Sequence, residues 1–166
     1  MPTSDRNRRP PLPPRWWREP VLLVALGFGA GAAPRAPGTA GTLVALPLFA
    51  LGLQLPWAWH TGAVVAAAGF GVWLCGRAER LLGVEDHPAI VWDEVAGYWI
   101  TLLLAPFGLV WWALGFVLFR FLDIVKPGPI GWLNREVAGG WGVMVDDLAA
   151  GLVAGLLLQG AAWITR

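Results

Sequence analysis

Carboxylates stand at the edges of long apolar runs in this chain, and that juxtaposition restricts what it can fold into. Eight of the eleven acidic residues fall between Glu85 and Asp147: Glu85, Asp86, Asp93, Glu94, Asp123, Glu136, Asp146 and Asp147. Most of them abut apolar stretches such as AGYWITLLLA and LAAGLVAGLLL. A carboxylate at the mouth of a membrane helix is costly unless it has water, a metal or a cation as partner. Composition says what kind of chain carries these acids. Of the 166 residues, 57% are hydrophobic and 14% are charged, against roughly 25% charged in an ordinary soluble domain. One core of this size cannot hide so much apolar surface from water. High hydrophobicity excludes a disordered chain, and the single cysteine, Cys75, excludes a disulfide scaffold. The net charge of +1 gives no reason to expect a nucleic-acid partner. The reading is an all-α polytopic membrane bundle.

The spans follow from run lengths and breakers. Residues 1–20 read as a disordered basic arm, with Arg6, Arg8, Arg9, Arg15 and Arg18 interleaved with prolines. Residues 21–166 read as one membrane domain. Val21 to Ala33 covers roughly 20 Å as helix, short of the ~20 residues a span needs, so it reads as interfacial or re-entrant. Its flank is a poor cleavage site, so the segment is expected to be retained. Pro34 to Thr42 then reads as a loop. Five spans are expected, over Leu43 to Trp59, Thr61 to Gly76, Asp93 to Ala105, Gly108 to Phe121 and Asp146 to Trp163. Arg77 to Trp92 reads as a polar segment, and Leu122 to Met144 as a loop with short helical pieces. Gly27/Gly31 and Gly151/Gly155 are spaced for close helix approach.

Charge placement sets the expected orientation. Arg77, Arg80, Arg120, Lys126 and Arg135 lie at or after the ends of the second and fourth spans, which makes that side cytoplasmic. The turns on the other side carry Trp57, Trp59, Trp111 and Trp112, as an aromatic belt requires. One face therefore collects the polar loops and nearly every acid.

Four stretches on that face can carry chemistry. In VWDEVAG, Asp93 and Glu94 open a membrane helix; capping is the plain alternative, since negative charge is favourable there. In RFLDIVKP, Arg120, Asp123 and Lys126 recur at intervals of three. They form either a surface ion ladder of little worth or two cations aimed at a phosphate. In GGWGVMVDD, a glycine-rich loop leads to Asp146 and Asp147, where aspartates can hold a hard cation or cap a helix. In PGTAGT, Thr39 and Thr42 lie beside Arg35 ahead of an apolar helix, which makes either an anion site or a capped turn. Asp86 and His87 sit together in EDHP. His60 falls on the far side and is set aside, and Cys75 has no sequence neighbour that would activate it. Carboxylates with waters suit Mg²⁺ beside a substrate phosphate. Arginine, lysine and backbone amides suit the phosphate. The reaction class that uses all of these parts is metal-assisted attack on a phosphoryl group. A substrate that reaches this face from within the bilayer is a phospholipid.

The segments GFGAG…PRAPGTAGT, EDHPAIVWDE, FRFLDIVKPGPIGW and GGWGVMVDDLAAG, in this order, resemble those of bacterial phosphatidylglycerophosphatase A. The resemblance runs from about Val21 to Gly155. It implies removal of the terminal phosphate of phosphatidylglycerophosphate to give phosphatidylglycerol. It also implies Mg²⁺ dependence, an all-helical fold and an inner-membrane location. The matching site residues are Thr39, Thr42, Asp86, His87, Asp93, Glu94, Arg120, Asp123, Lys126, Asp146 and Asp147. The expected division of roles assigns Mg²⁺ to Asp93, Glu94, Asp146 and Asp147. It assigns phosphate to Arg35, Thr39, Thr42, Arg120 and Lys126, and proton transfer or attack to Asp123, His87 or Asp86.

Rival classes make different demands on the sequence. A CDP-alcohol phosphotransferase needs a D-G-x-x-A-R stretch that DDLAAG does not supply. The other membrane lipid-phosphatase superfamily needs a P-S-G-H, which is absent. A small cation channel or transporter using the same acids is the non-enzymatic alternative, and it predicts acids near mid-helix.

Overall fold

The computed structural model describes residues 10–165, and within them every regular element is helical. The order is α1 (Pro20–Ala25), α2 (Pro37–Gly52), α3 (Trp57–Leu82), α4 (Trp92–Leu104), α5 (Leu109–Val125), α6 (Pro129–Glu136) and α7 (Gly139–Ile164), with 3₁₀ turns at Trp16–Arg18 and Gly27–Ala32. The helices α2, α3, α4, α5 and α7 run alternately up and down. The Phe49 and His60 rings meet where α2 passes into α3, and Trp112 at the start of α5 meets the same Phe49. The opposite end gathers the starts of α2, α4 and α7 and the ends of α3 and α5.

α4 is the axis of the bundle, with α2, α3, α5 and α7 packed around it. It contributes Val95, Ala96, Tyr98 and Leu102 to the buried core. Two helix backbones touch where α4 crosses α7. A methyl group on Gly151 would overlap the Gly97 carbonyl oxygen, and one on Gly97 would lie 2.6 Å from the Asp147 carbonyl oxygen. Thr101 reinforces the crossing by donating its hydroxyl to the Gly97 and Gly151 carbonyls, each at 3.2 Å. This contact draws Asp147 towards the first turn of α4. The expected Gly151/Gly155 spacing is used here, since Gly155 packs on Leu104. Gly27 and Gly31 also permit close approach, to Val91 and the Ala89 carbonyl, but they do so from a 3₁₀ turn broken at Phe28 and Gly29.

Several expected boundaries move. α2 begins at Pro37, so most of PRAPGTAGT is the first turn of a helix: proline at the first position needs no N–H partner there. Pro47 lies inside α2 without ending it. α3 runs on to Leu82 and stops at Gly83, which adopts a left-handed conformation. α5 runs on to Val125, with Lys126 as its left-handed cap before Pro127. The expected glycine-rich loop before Asp146 is the opening of α7, which starts at Gly139. Small residues are needed there because a methyl group on Gly140 would overlap the Val72 carbonyl of α3.

Among the described residues, two helices, Trp57–Leu82 and Gly139–Ile164, are long and apolar enough to cross a membrane, and Pro37–Gly52 is a shorter apolar helix. α4 has 13 residues, which is about 20 Å of helix. Large apolar side chains are exposed along α2 (Leu43, Leu51), α3 (Val65, Phe70), α5 (Leu114, Val117, Phe121) and α7 (Leu152, Leu156). The expectation of a basic arm falls partly on residues 1–9, outside the described residues. In the described remainder, Leu12 and Trp16 pack against the core.

A candidate active site at one end of the bundle

The starts of α2 and α4, the end of α5 and the second turn of α7 enclose a cavity of about 250 Å³. Asp93 and Glu94 enter it from the first turn of α4. Arg120 and Asp123 enter from the last turns of α5, Lys126 from its cap, and Asp146 and Asp147 from α7. Asp86 and Pro88 close one wall, and Ala36, Pro37 and Gly38 close another. Acids separated in sequence by more than fifty positions thus share one chamber. Asp146 and Asp147 lie two turns inside α7 and do not open it, because that helix starts earlier than the glycines suggest.

The charges are arranged in two groups. Oxygens of Asp93, Glu94 and Asp147 lie within 4.8 Å of one another. Glu94 Oε2 and Asp147 Oδ2 are buried and lack hydrogen-bond partners among the described residues. A buried carboxylate oxygen left unpaired is costly, and a hard divalent cation with oxygen ligands would relieve that cost. The donor set therefore fits Mg²⁺ chemically. The second group is cationic. Arg120 Nη1 lies 2.5 Å from Asp123 Oδ2 and 3.6 Å from Glu94 Oε1. Lys126 pairs with the buried Asp146. Burial alone would lower the Lys126 ammonium. The hydrogen bond to Asp146 and the charges of Asp146, Asp147 and Asp123 outweigh it and hold the group above its ordinary value. Lys126 is therefore protonated at neutral pH and stays so well into the alkaline range.

Arg120 and Asp123 are mostly buried, so they are not the exposed ladder that their spacing also allowed. Lys126 is carried by the cap of α5, where the helical register has already ended. Asp146 pairs with Lys126 and is not in the close triad of oxygens. Thr39, Thr42 and Arg35 do not line the chamber. The Thr42 hydroxyl donates to the Gly38 carbonyl at 2.9 Å, inside its own helix, and Arg35 is exposed. His87 points away from the chamber, although both of its neighbours line it. One contributor escaped the sequence reading. A methyl group on Gly38 would overlap Glu94 Oε1 and sit 3.1 Å from Arg120 Nη1, so the backbone of α2 forms the chamber wall. The PGTAG spacing held that signal, but the neighbouring threonines looked more chemical.

Residues 23–162 match the family profile of phosphatidylglycerophosphatase A. The chain belongs to this family. It is 47% identical over 140 residues to phosphatidylglycerophosphatase A of Escherichia coli, covering 83% of this chain and 81% of that protein. It is 40% identical over 144 residues to the Haemophilus influenzae protein of the same name, covering 81% and 84%. A Bacteroides thetaiotaomicron relative, provisionally named a phosphatidylinositol-3-phosphatase, is 40% identical over 151 residues, covering 86% of this chain and 94% of that protein. No solved structure matches the chain. The family membership fits the chamber, which pairs a carboxylate triad with two cations at one end of an apolar bundle.

Proposed function

We propose that this chain hydrolyses the terminal phosphate of phosphatidylglycerophosphate, releasing phosphatidylglycerol and inorganic phosphate. The observation that carries the reading is the chamber itself, where the Asp93–Glu94–Asp147 triad shares a cavity of about 250 Å³ with Arg120 and Lys126. Arg120 and Lys126 hold the phosphate, and each cation already sits beside a carboxylate that orients it. The first turn of α2 contributes backbone N–H groups near Gly38, where a helix start favours an anion. Asp93, Glu94 and Asp147 would hold Mg²⁺. When bound, the ion supplies Lewis-acid polarisation of a phosphoryl oxygen. Asp123 accepts a proton from the attacking water as its oxygen bonds to phosphorus. The bond from phosphorus to the glycerol oxygen breaks, that oxygen takes up the proton, and the Asp123 carboxylate is regenerated. Asp86 stands at the opposite wall, exposed and placed to meet the glycerol head group.

The same reading puts the bundle in the bacterial inner membrane as a multi-pass protein. α3 and α7 cross it fully, and α2, α4 and α5 lie beside them, which makes five membrane helices. Support comes from the apolar side chains exposed along α2, α3, α5 and α7. Arg77, Arg80 and Lys126 lie at the chamber end of α3 and α5, so that end faces the cytoplasm. The short α1 and the 3₁₀ turn after it lie at the interface.

The test is phosphate release by the purified protein in detergent–lipid micelles. Phosphatidylglycerophosphate is the expected substrate, and phosphatidylinositol 3-phosphate is the comparison suggested by the Bacteroides relative. Preference for the inositol lipid would overturn the head-group assignment. Ion flux through liposomes without phosphate release would replace the enzyme by a channel.

A further inference from the structure

His87 is the one titratable residue of the EDHP stretch buried out of the chamber, while the residues on either side of it line the wall. The residue is 1% exposed. Nδ1 accepts a hydrogen bond from the Ala89 backbone N–H at 3.1 Å. Nε2 lies 3.2 Å from the Pro10 carbonyl oxygen. A carbonyl oxygen only accepts, and Nδ1 is already an acceptor, so the partners assign the neutral ring with its proton on Nε2. Each nitrogen thus meets a backbone group, and His87 does not line the chamber.

From these contacts we infer that His87 is a positioning residue for the wall carrying Asp86, and that it ties this wall to the N-terminal segment at Pro10. The inference rests on the phosphatase reading of the chamber. The wall needs such a tie. Asp86 has φ 46°, a left-handed conformation that costs a non-glycine residue free energy unless its surroundings hold it. The Asp86 N–H is held by Glu79 Oε1 at 2.7 Å. On the other side, Ala89 is held by His87, and Val91 N–H donates to the Ala25 carbonyl at 2.9 Å. The His87 ring stands between these two fastenings in the connection from α3 to α4. It also carries the connection to Leu12 and Trp16, which are seated on the core. An imidazole acts here as a two-ended strut: one nitrogen braces a turn that the Ile90 N–H also closes by donating to the His87 carbonyl at 2.8 Å, and the other meets the Pro10 carbonyl.

The test compares two substitutions in the full chain. Asparagine at position 87 keeps an acceptor oxygen within reach of the Ala89 N–H, the geometry of an Asx-turn, whereas alanine removes both ties. His87→Ala is expected to lower kcat for phosphate release by about 10- to 100-fold, as small misplacements of an active-site wall do, with KM little changed. His87→Asn is expected to recover to within about threefold of the parent. Both variants should keep the parent's pH profile. In an Asp86→Ala background the His87→Ala effect should largely disappear, because a strut for Asp86 has nothing left to position. Full activity of His87→Ala overturns the inference. So does an acid limb of the pH profile that vanishes in both variants, which is the mark of a general base. A readout independent of activity is nitrogen NMR of histidine-labelled protein at neutral pH. It should show the His87 ring as the neutral Nε2–H tautomer, and an imidazolium or an Nδ1–H ring overturns the strut directly. If the parent releases no phosphate but the NMR result holds, the phosphatase reading fails and the strut stands.

Discussion

At the chamber end of the bundle, Asp93, Glu94, Asp123, Asp146 and Asp147 are drawn together around Arg120 and Lys126. At the far end of the same helices, His60 is equally buried, but it lies among rings: Phe49 at 4.5 Å and Trp57 at 6.0 Å between ring centroids. The His60 Nδ1 and the Thr61 hydroxyl have no hydrogen-bond partner there among the described residues. Both ends bury polar atoms, with different consequences. The far end carries two isolated polar atoms in an apolar setting, a cost of roughly 1–3 kcal/mol each. The chamber end concentrates carboxylates that repel one another and leaves Glu94 Oε2 and Asp147 Oδ2 without hydrogen-bond partners among the described residues, open to an incoming cation. Buried polarity marks a functional site when it is charged, convergent and open to a cavity. A lone buried histidine packed by rings is part of the core.

The largest expected effect breaks the chamber end alone. Asp147→Asn should lower phosphate release by about 10³-fold with no fall in melting temperature, because it removes like-charge repulsion within the triad. A melting-temperature loss without an activity loss would make Asp147 structural and erase the contrast between the ends. Chelation is the next step. EDTA should abolish turnover and added Mg²⁺ should restore it, and an activity indifferent to EDTA would remove the metal from the triad. Arg120→Lys should reduce kcat/KM by about 10- to 100-fold, since an ammonium cannot fork between Asp123 and a phosphate as a guanidinium does; steady-state kinetics will read this. Gly38→Ala should cost roughly tenfold in kcat/KM with the fold intact in circular dichroism, as its methyl group displaces Glu94. The smallest effect belongs to the far end. His60→Leu should leave turnover within about twofold and change stability by no more than about 1–2 kcal/mol. A large activity loss there would show that the ends are coupled.

Much of this was legible before any coordinates. The acids and cations of three motifs, the helical class and the shared face follow from residue type and spacing. Asp93 and Glu94 sit at a helix start, as their sequence context requires. Other features depended on contacts that local pattern does not encode. The glycines at 139, 140 and 142 read as a loop before the aspartates, yet they open α7, where Gly140 must pass the backbone of α3. Thr39 and Thr42 looked like phosphate ligands, but Thr42 bonds within its own helix and the bare backbone of Gly38 lines the wall. His87 looked like a base, but its two ring nitrogens are taken up by Ala89 and Pro10.

The sequence by itself determined that the chain is apolar and helical and that its few charges belong to one end, because hydrophobic run length and charge placement are local properties. Tertiary structure decided which of those charges meet. Asp147 reaches Asp93 and Glu94 only because Gly97 and Gly151 let two helix backbones touch. Lys126 turns to Asp146 only because α5 ends in a left-handed cap. Such meetings depend on distances between segments far apart in the chain, and no run of residues specifies them alone.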